Sequence, residues 1–99
     1  MLELAVLGLL SEQPLHGYEL KKRLSETLGP LWGISFGSLY PALHRLEHQG
    51  WIKAEWGVSE LGRRARFYRL TASGRRQLEA ETETWARLTA AIGRVLEMA

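Results

Sequence analysis

The apolar period of this chain changes twice. Up to Gly50 apolar residues recur at three- and four-residue steps, from Trp51 to Trp56 they alternate, and from Leu78 the stepping is helical again. Neither pattern can be laid on the other's backbone without turning apolar side chains to water, so the order must be helices, a strand region, then a helix. Residues 2–10 are apolar almost all round, through Leu2, Leu4, Val6, Leu7, Leu9 and Leu10, which predicts a short helix buried on several sides and ended by Ser11 to Pro14. A second helix is expected from about Leu15 to Leu28, with Leu20, Leu24 and Leu28 on one face, Glu19 four residues before Arg23, and Gly29-Pro30 as the stop. The third opens on Ser35 as N-cap and closes at Gly50, burying Leu39, Leu43 and Leu46. Pro41 has no amide to give the Gly37 carbonyl, which predicts an irregular first turn or a later start.

In the alternating stretch Ile52, Ala54 and Trp56 share one side and Lys53 and Glu55 the other, a half-buried strand. Arg64 to Leu70 supplies a second strand, and Gly57 to Gly62 would form a long hairpin loop between them. Phe67 and Tyr68 fall on opposite faces, so at least one should be exposed or at an interface. Trp32, Trp51 and Trp56 read as core or strand-packing residues. Thr71 caps a last helix, whose apolar positions Leu78, Trp85, Leu88, Ile92, Val95 and Leu96 approach a 3.5-residue repeat interrupted by Glu81. The fold class is therefore mostly α (α+β): a winged helix-turn-helix domain over residues 1–70, followed by a C-terminal dimerisation helix over residues 71–99.

Ninety-nine residues make one domain, so a two-domain enzyme is excluded, and a lone monomer of this size would be modestly stable, which makes a homodimer plausible. There is no cysteine for a disulfide, a thiolate zinc site or a thiol nucleophile, and all 11 acids are glutamate, so no Ser-His-Asp triad can be built. No cofactor, enzymatic activity or membrane anchorage is expected: no phosphate-binding glycine motif occurs, and the longest apolar run, Leu4 to Leu10, is far short of the roughly 20 residues that span a bilayer. With no basic N-terminal signal either, a cytoplasmic location is expected.

The net charge is only +2, so placement matters more than sum. Arg63, Arg64, Arg66, Arg69, Arg75 and Arg76 occur between Glu60 and Glu79 with no acid among them. Alternation on the hairpin projects Arg64 and Arg66 together beside Arg63, as a phosphate backbone or a minor groove would require; the plainer reading is a solvated basic strand. On the third helix Gly37, Ser38, Pro41, His44, Arg45 and His48 lie opposite the leucine stripe. Small residues there would bring the helix start close to base edges, with Ser38, His44 and Arg45 reading bases and Tyr18, Lys21, Lys22 and Tyr40 placing the backbone. His44 to His48 also satisfies H-x-x-E-H, a zinc-peptidase pattern, but His16 is the single remaining histidine and no cleft is foreseen. Trp85 fills a helix seam or, paired across a dimer, flanks a flat apolar pocket for an aromatic or hydrophobic ligand; Leu88, Ile92, Val95 and Leu96 complete that interface.

Three blocks carry a resemblance: Leu15-His16-Gly17-Tyr18-Glu19-Leu20, Gly37-Ser38-Leu39-Tyr40-Pro41-Ala42-Leu43-His44-Arg45-Leu46-Glu47, and Gly62-Arg63-Arg64 with Phe67-Tyr68-Arg69-Leu70-Thr71. Together they resemble the PadR family of bacterial transcriptional regulators, in its branch with a single C-terminal helix. The resemblance implies a homodimeric winged-helix repressor that binds double-stranded operator DNA and is released by a small-molecule effector. It implies DNA-facing roles for Tyr18, Ser38, Tyr40 and Pro41, a basic wing of Arg63, Arg64 and Arg66, and an interfacial pocket at Trp85; Ser35 and Gly37, at the start of the third helix, are expected at the same DNA interface from their position alone. The rival expectation is a dimeric winged-helix protein-interaction module without specific DNA binding.

Overall fold

The computed structural model describes residues 2–98. In chain order they form α1 (Leu2–Leu10), β1 (Leu15–His16), α2 (Gly17–Leu28), α3 (Phe36–His48), β2 (Ile52–Val58), β3 (Arg64–Leu70) and α4 (Ala72–Met98). The strands make one antiparallel sheet in the order β1-β3-β2, with Leu15 opposite Tyr68 and Ile52 opposite Leu70. Val6, Leu7 and Leu10 of α1 meet Leu20 and Leu24 of α2, the stripe Leu39, Ala42, Leu43 and Leu46 of α3, and Leu15, Ile52 and Tyr68 of the sheet in one core. The winged helix-turn-helix expectation holds, with α4 extending from it.

Local chemistry explains the departures from the expected boundaries. Leu15 and His16 leave the expected second helix to pair with β3, and His16 becomes the N-cap, its Nδ1 accepting from the Glu19 amide at 3.2 Å. Helix α3 runs unbroken through Pro41. Ser35 and Ser38 close a reciprocal capping box that fixes the first turn, and the carbonyl that Pro41 cannot serve belongs to solvent-exposed Gly37, so its loss of a helical partner leaves no buried acceptor unpaired. The helix ends in a Schellman motif: the Gly50 amide donates to the Glu47 carbonyl and the Trp51 amide to that of Leu46, with Gly50 at φ 76°. The hairpin loop is shorter than Gly57 to Gly62, because Gly57 and Val58 stay in β2 and the Phe67 ring occupies the space a Cβ on Gly57 would need. The tip is closed by the Gly62 amide on the Ser59 carbonyl, with Gly62 at φ 75°.

The aromatic residues also depart from expectation. Trp56 is 63% exposed and Trp32 is 40% exposed, so neither is core. Tyr68 is buried and Phe67 is half-buried, because its cross-strand neighbour on β1, His16, sets its ring edge-on against it on the face expected to be open. Leu78 packs on the chain's own core, so the open apolar stripe of α4 starts at Trp85.

The start of α4 is seated on Gly50 and Trp51, the two residues that lead into β2. The Trp51 carbonyl accepts from the Thr71 amide at 3.0 Å, Thr71 Oγ1 donates to the Gly50 carbonyl at 2.7 Å and accepts from the Gly74 amide at 3.0 Å, and a Cβ on Gly74 would fall on the Trp51 carbonyl. Gly74→Ala is expected to destabilise the protein by about 2 kcal/mol in denaturant titration, since backbone must give way, which outweighs the better helix propensity of alanine. An unchanged midpoint would show a loosely seated helix.

Candidate nucleic-acid interface

One face of the hairpin grades from core to solvent. The cross-strand pairs along it are Ile52 with Leu70, Ala54 with Tyr68, Trp56 with Arg66, and Val58 with Arg64. Alternation thus anchors the strands in the core at one end and projects guanidinium groups at the other. Arg64 sets its guanidinium over the Trp56 ring, 4.5 Å from its centroid, which fixes the charged end against the indole on this face of the hairpin. Arg63 is exposed beside it at the turn. Arg69 falls on the opposite face and pairs with Glu55 at 2.8 Å, and Arg75 and Arg76 belong to α4, so the six arginines divide among three surfaces.

Facing this hairpin is the exposed side of α3, carrying Gly37, Tyr40, Pro41 and His44. Between α3, the start of α2 and the hairpin runs a trough of about 530 Å³. Tyr18, Tyr40, His44, Arg64 and Arg66, five of the residues expected from the sequence, line it. The Tyr40 ring stacks on Phe36 at 5.5 Å and its hydroxyl lies against Gly17, where a Cβ would come within 2.7 Å of it. Lys21 sits 5.2 Å from the Phe36 ring centroid, and Lys22 is exposed beside it on α2. The trough therefore presents phenolic and imidazole donors on one wall and guanidinium groups on the other.

The remaining expected readers are placed differently. The Ser38 hydroxyl donates to the Ser35 carbonyl at 2.9 Å and accepts from the Ser35 amide at 3.3 Å, so its one proton is already committed to the cap. Ser35 serves the same cap. Arg45 reaches from α3 to α1 and pairs with Glu3 at 2.6 Å, outside the trough. That hydrogen bond holds the Glu3 carboxyl below its ordinary value of 4.5, against the opposing effect of partial burial. On the hairpin side, burial pushes the Tyr68 hydroxyl above its ordinary 10.0, against the pull of Arg66. Glu47, the acid of H-x-x-E-H, is paired with Arg66 at 3.2 Å, and no cluster of three metal-ligating side chains occurs among the described residues.

Sequence reasoning missed His16, Gly17, Glu47 and Trp56 as walls of the trough. The Trp56 position was recoverable once the strand register was known, and Glu47 from its helical spacing with Tyr40 and His44 on α3; His16 and Gly17 required β1.

A second depression of about 400 Å³ lies between α1 and α4, with Leu4 and Glu3 on one side and Ala80, Thr84, Trp85 and Leu88 on the other. Beyond it α4 continues with Ile92, Val95 and Leu96 open to solvent. No helix among the described residues is long and apolar enough to cross a membrane.

Known proteins share this arrangement. The Negative transcriptional regulator PadR of Bacillus subtilis is 32% identical over 78 residues, 79% of this chain and 43% of that protein, so the chain spans less than half of that relative. A PadR-like transcriptional regulator from Bacillus cereus superposes with a TM-score of 0.87 at 29% identity, covering 96% of this chain and 90% of the other. Bacillus subtilis PadR in complex with operator DNA superposes with a TM-score of 0.72 at 30% identity, over 83% of this chain and 46% of the other. Residues 6–80 match the model of the transcriptional regulator PadR-like family, which takes in α2, α3, the hairpin and the seat of α4. The chain belongs to the PadR-like family of transcriptional regulators.

Proposed function

We propose that this protein is a homodimeric repressor that binds operator DNA in the cell interior and is relieved by a small aromatic or hydrophobic ligand. Residues 1–70 form the DNA-binding unit and residues 71–99 the dimerisation helix. The observation that carries the reading is the trough, in which the exposed face of α3 and the cationic edge of the hairpin open onto the same space. In this reading α3 enters the major groove, and His44 touches base edges. Tyr18, Tyr40, Lys21 and Lys22 hold one phosphate strand, and Arg63 and Arg64 hold another. Arg45 reaches phosphate only by leaving Glu3. The apolar stripe of α4 pairs with that of a second copy, setting two α3 helices about 34 Å apart, one turn of duplex. A ligand held against Trp85 loosens DNA by favouring a dimer with a different spacing. The operator complex of the Bacillus subtilis relative supports the assignment of DNA as partner.

Gly37 supplies the test. A Cβ there would meet nothing closer than Ser35 Oγ at 3.6 Å, so the protein itself has no need of glycine at this position. Gly37→Ala is expected to stabilise the free protein by about 0.5–1 kcal/mol through helix propensity. The same methyl would stand between α3 and the groove, and affinity for a duplex from upstream of its own gene, read by fluorescence anisotropy, is expected to fall about tenfold, or roughly 1.4 kcal/mol. Unimpaired binding would remove the start of α3 from the interface. Absence of duplex binding by the wild-type protein at low salt would overturn the function itself.

A further inference from the structure

Arg66 stands apart from its neighbours on the hairpin edge. Arg64 and Arg63 make no ion pair among the described residues, whereas Arg66 is 3.2 Å from the carboxylate of Glu47, across the trough on α3. Glu47 lies in the last turn of α3, where the helix dipole disfavours a negative charge, and its side chain is only 26% exposed. A carboxylate in that position needs a cation, and among the described residues the ion pair it makes is with Arg66. The contact also joins the two parts of the trough that would have to meet DNA together. Below it lies Tyr68, its ring centroid 6.0 Å from the Arg66 guanidinium.

We propose that Glu47 is a specificity-determining residue: it withholds Arg66 from indiscriminate phosphate contact and braces the hairpin against α3. This rests on the DNA-binding reading above. Non-specific complexes are held almost wholly by phosphate contacts, so one cation withheld weakens them by its full share. An operator complex draws on base contacts made by α3 as well, and those gain from a hairpin held at a constant angle. Withholding the cation weakens every complex alike, and the operator complex alone recovers part of that loss through the braced hairpin, so the carboxylate penalises the wrong sequence more than the right one.

Glu47→Gln keeps the shape and leaves an amide oxygen for Arg66 while removing the charge. The probe is poly(dI-dC) duplex, titrated by anisotropy across a range of salt. Glu47→Gln is expected to bind it about fivefold more tightly at low salt, with the slope of log K against log salt steeper by about 0.9, the increment of one added phosphate contact. Arg66→Gln is expected to leave the wild-type slope nearly unchanged, because Arg66 makes no phosphate contact, while the Glu47 carboxylate that it orphans lowers the affinity itself. Glu47→Gln with Arg66→Gln should return to the wild-type slope. A Glu47→Gln slope equal to or shallower than wild type overturns the proposal. So does an Arg66→Gln slope shallower by a full contact, a result that stands even if Glu47→Gln proves poorly folded. In either case wild-type binding to poly(dI-dC) shows that the DNA-binding reading survives; a wild-type protein that binds no duplex at low salt overturns both.

Discussion

Ile92→Glu is expected to yield a folded monomer whose affinity for a two-half-site duplex is about a thousandfold below wild type. Helix α4 has 27 residues, about 40 Å of helix, and its first turns alone rest on the body. Trp85, Leu88 and Ile92 follow one another at three and four residues and are each about half exposed, at 47%, 49% and 49%; Val95 and Leu96 continue the stripe. In the proposed dimer this uncovered apolar stripe, at coiled-coil spacing, packs against that of a second copy. Burying an unpaired carboxylate in that seam costs several kcal/mol, while glutamate is at least as good a helix former as isoleucine, so the chain itself should keep its fold. The loss in DNA affinity follows from geometry rather than contact. Two linked α3 helices present the second half-site at an effective concentration near the millimolar range, and a monomer forfeits that gain. Sedimentation equilibrium and duplex titration measure the two effects separately. A variant that stays dimeric, or a monomer that binds as tightly as wild type, would show that the stripe on α4 does not hold the DNA-binding form together.

What was legible in the sequence was periodicity and capping. The leucine steps placed α1 and the buried face of α3; Ser35, Gly50 and Thr71 placed the ends of α3 and the start of α4; alternation placed β2 except its last two residues, and the second strand was expected at Arg64 to Leu70, where β3 lies. These are signals carried by residues within one or two turns of each other. What escaped was set by partners distant in sequence. Two residues of β1 have no period of their own and are strand only because Tyr68 and Phe67 accept them, and histidine is not a residue from which an N-cap is usually inferred. The commitment of Arg45 to Glu3 spans 42 positions and depends on how α1 crosses α3. Composition suggested a single arginine-rich prong, but register decides that Arg69 faces away toward Glu55 while Arg64 lies over Trp56. The candidate site was thus legible as a list of side chains and not as a surface.

That surface makes the second large effect. Arg63→Ala combined with Arg64→Ala is expected to weaken binding to every duplex by about fiftyfold at moderate salt, and to reduce the salt slope by about 1.8, the share of two phosphate contacts. Because the loss is electrostatic, the ratio of affinities for specific and random duplexes should change little. Neither arginine carries an ion pair among the described residues, so no buried carboxylate there is orphaned, and thermal stability should stay close to wild type. A finer variant isolates the role of Trp56. Arg64→Lys keeps the charge and hence the slope, but an ammonium cannot spread a planar face over the indole as the guanidinium does at 4.5 Å, so binding should weaken about threefold at constant slope. If the double alanine variant keeps the wild-type slope, the hairpin does not touch phosphate. If Arg64→Lys instead lowers the slope, the ring matters by holding the charge at the backbone rather than by adding stacking energy. The two outcomes separate what the sequence supplies, a pair of cations, from what the fold supplies, their fixed direction toward the duplex that α3 enters.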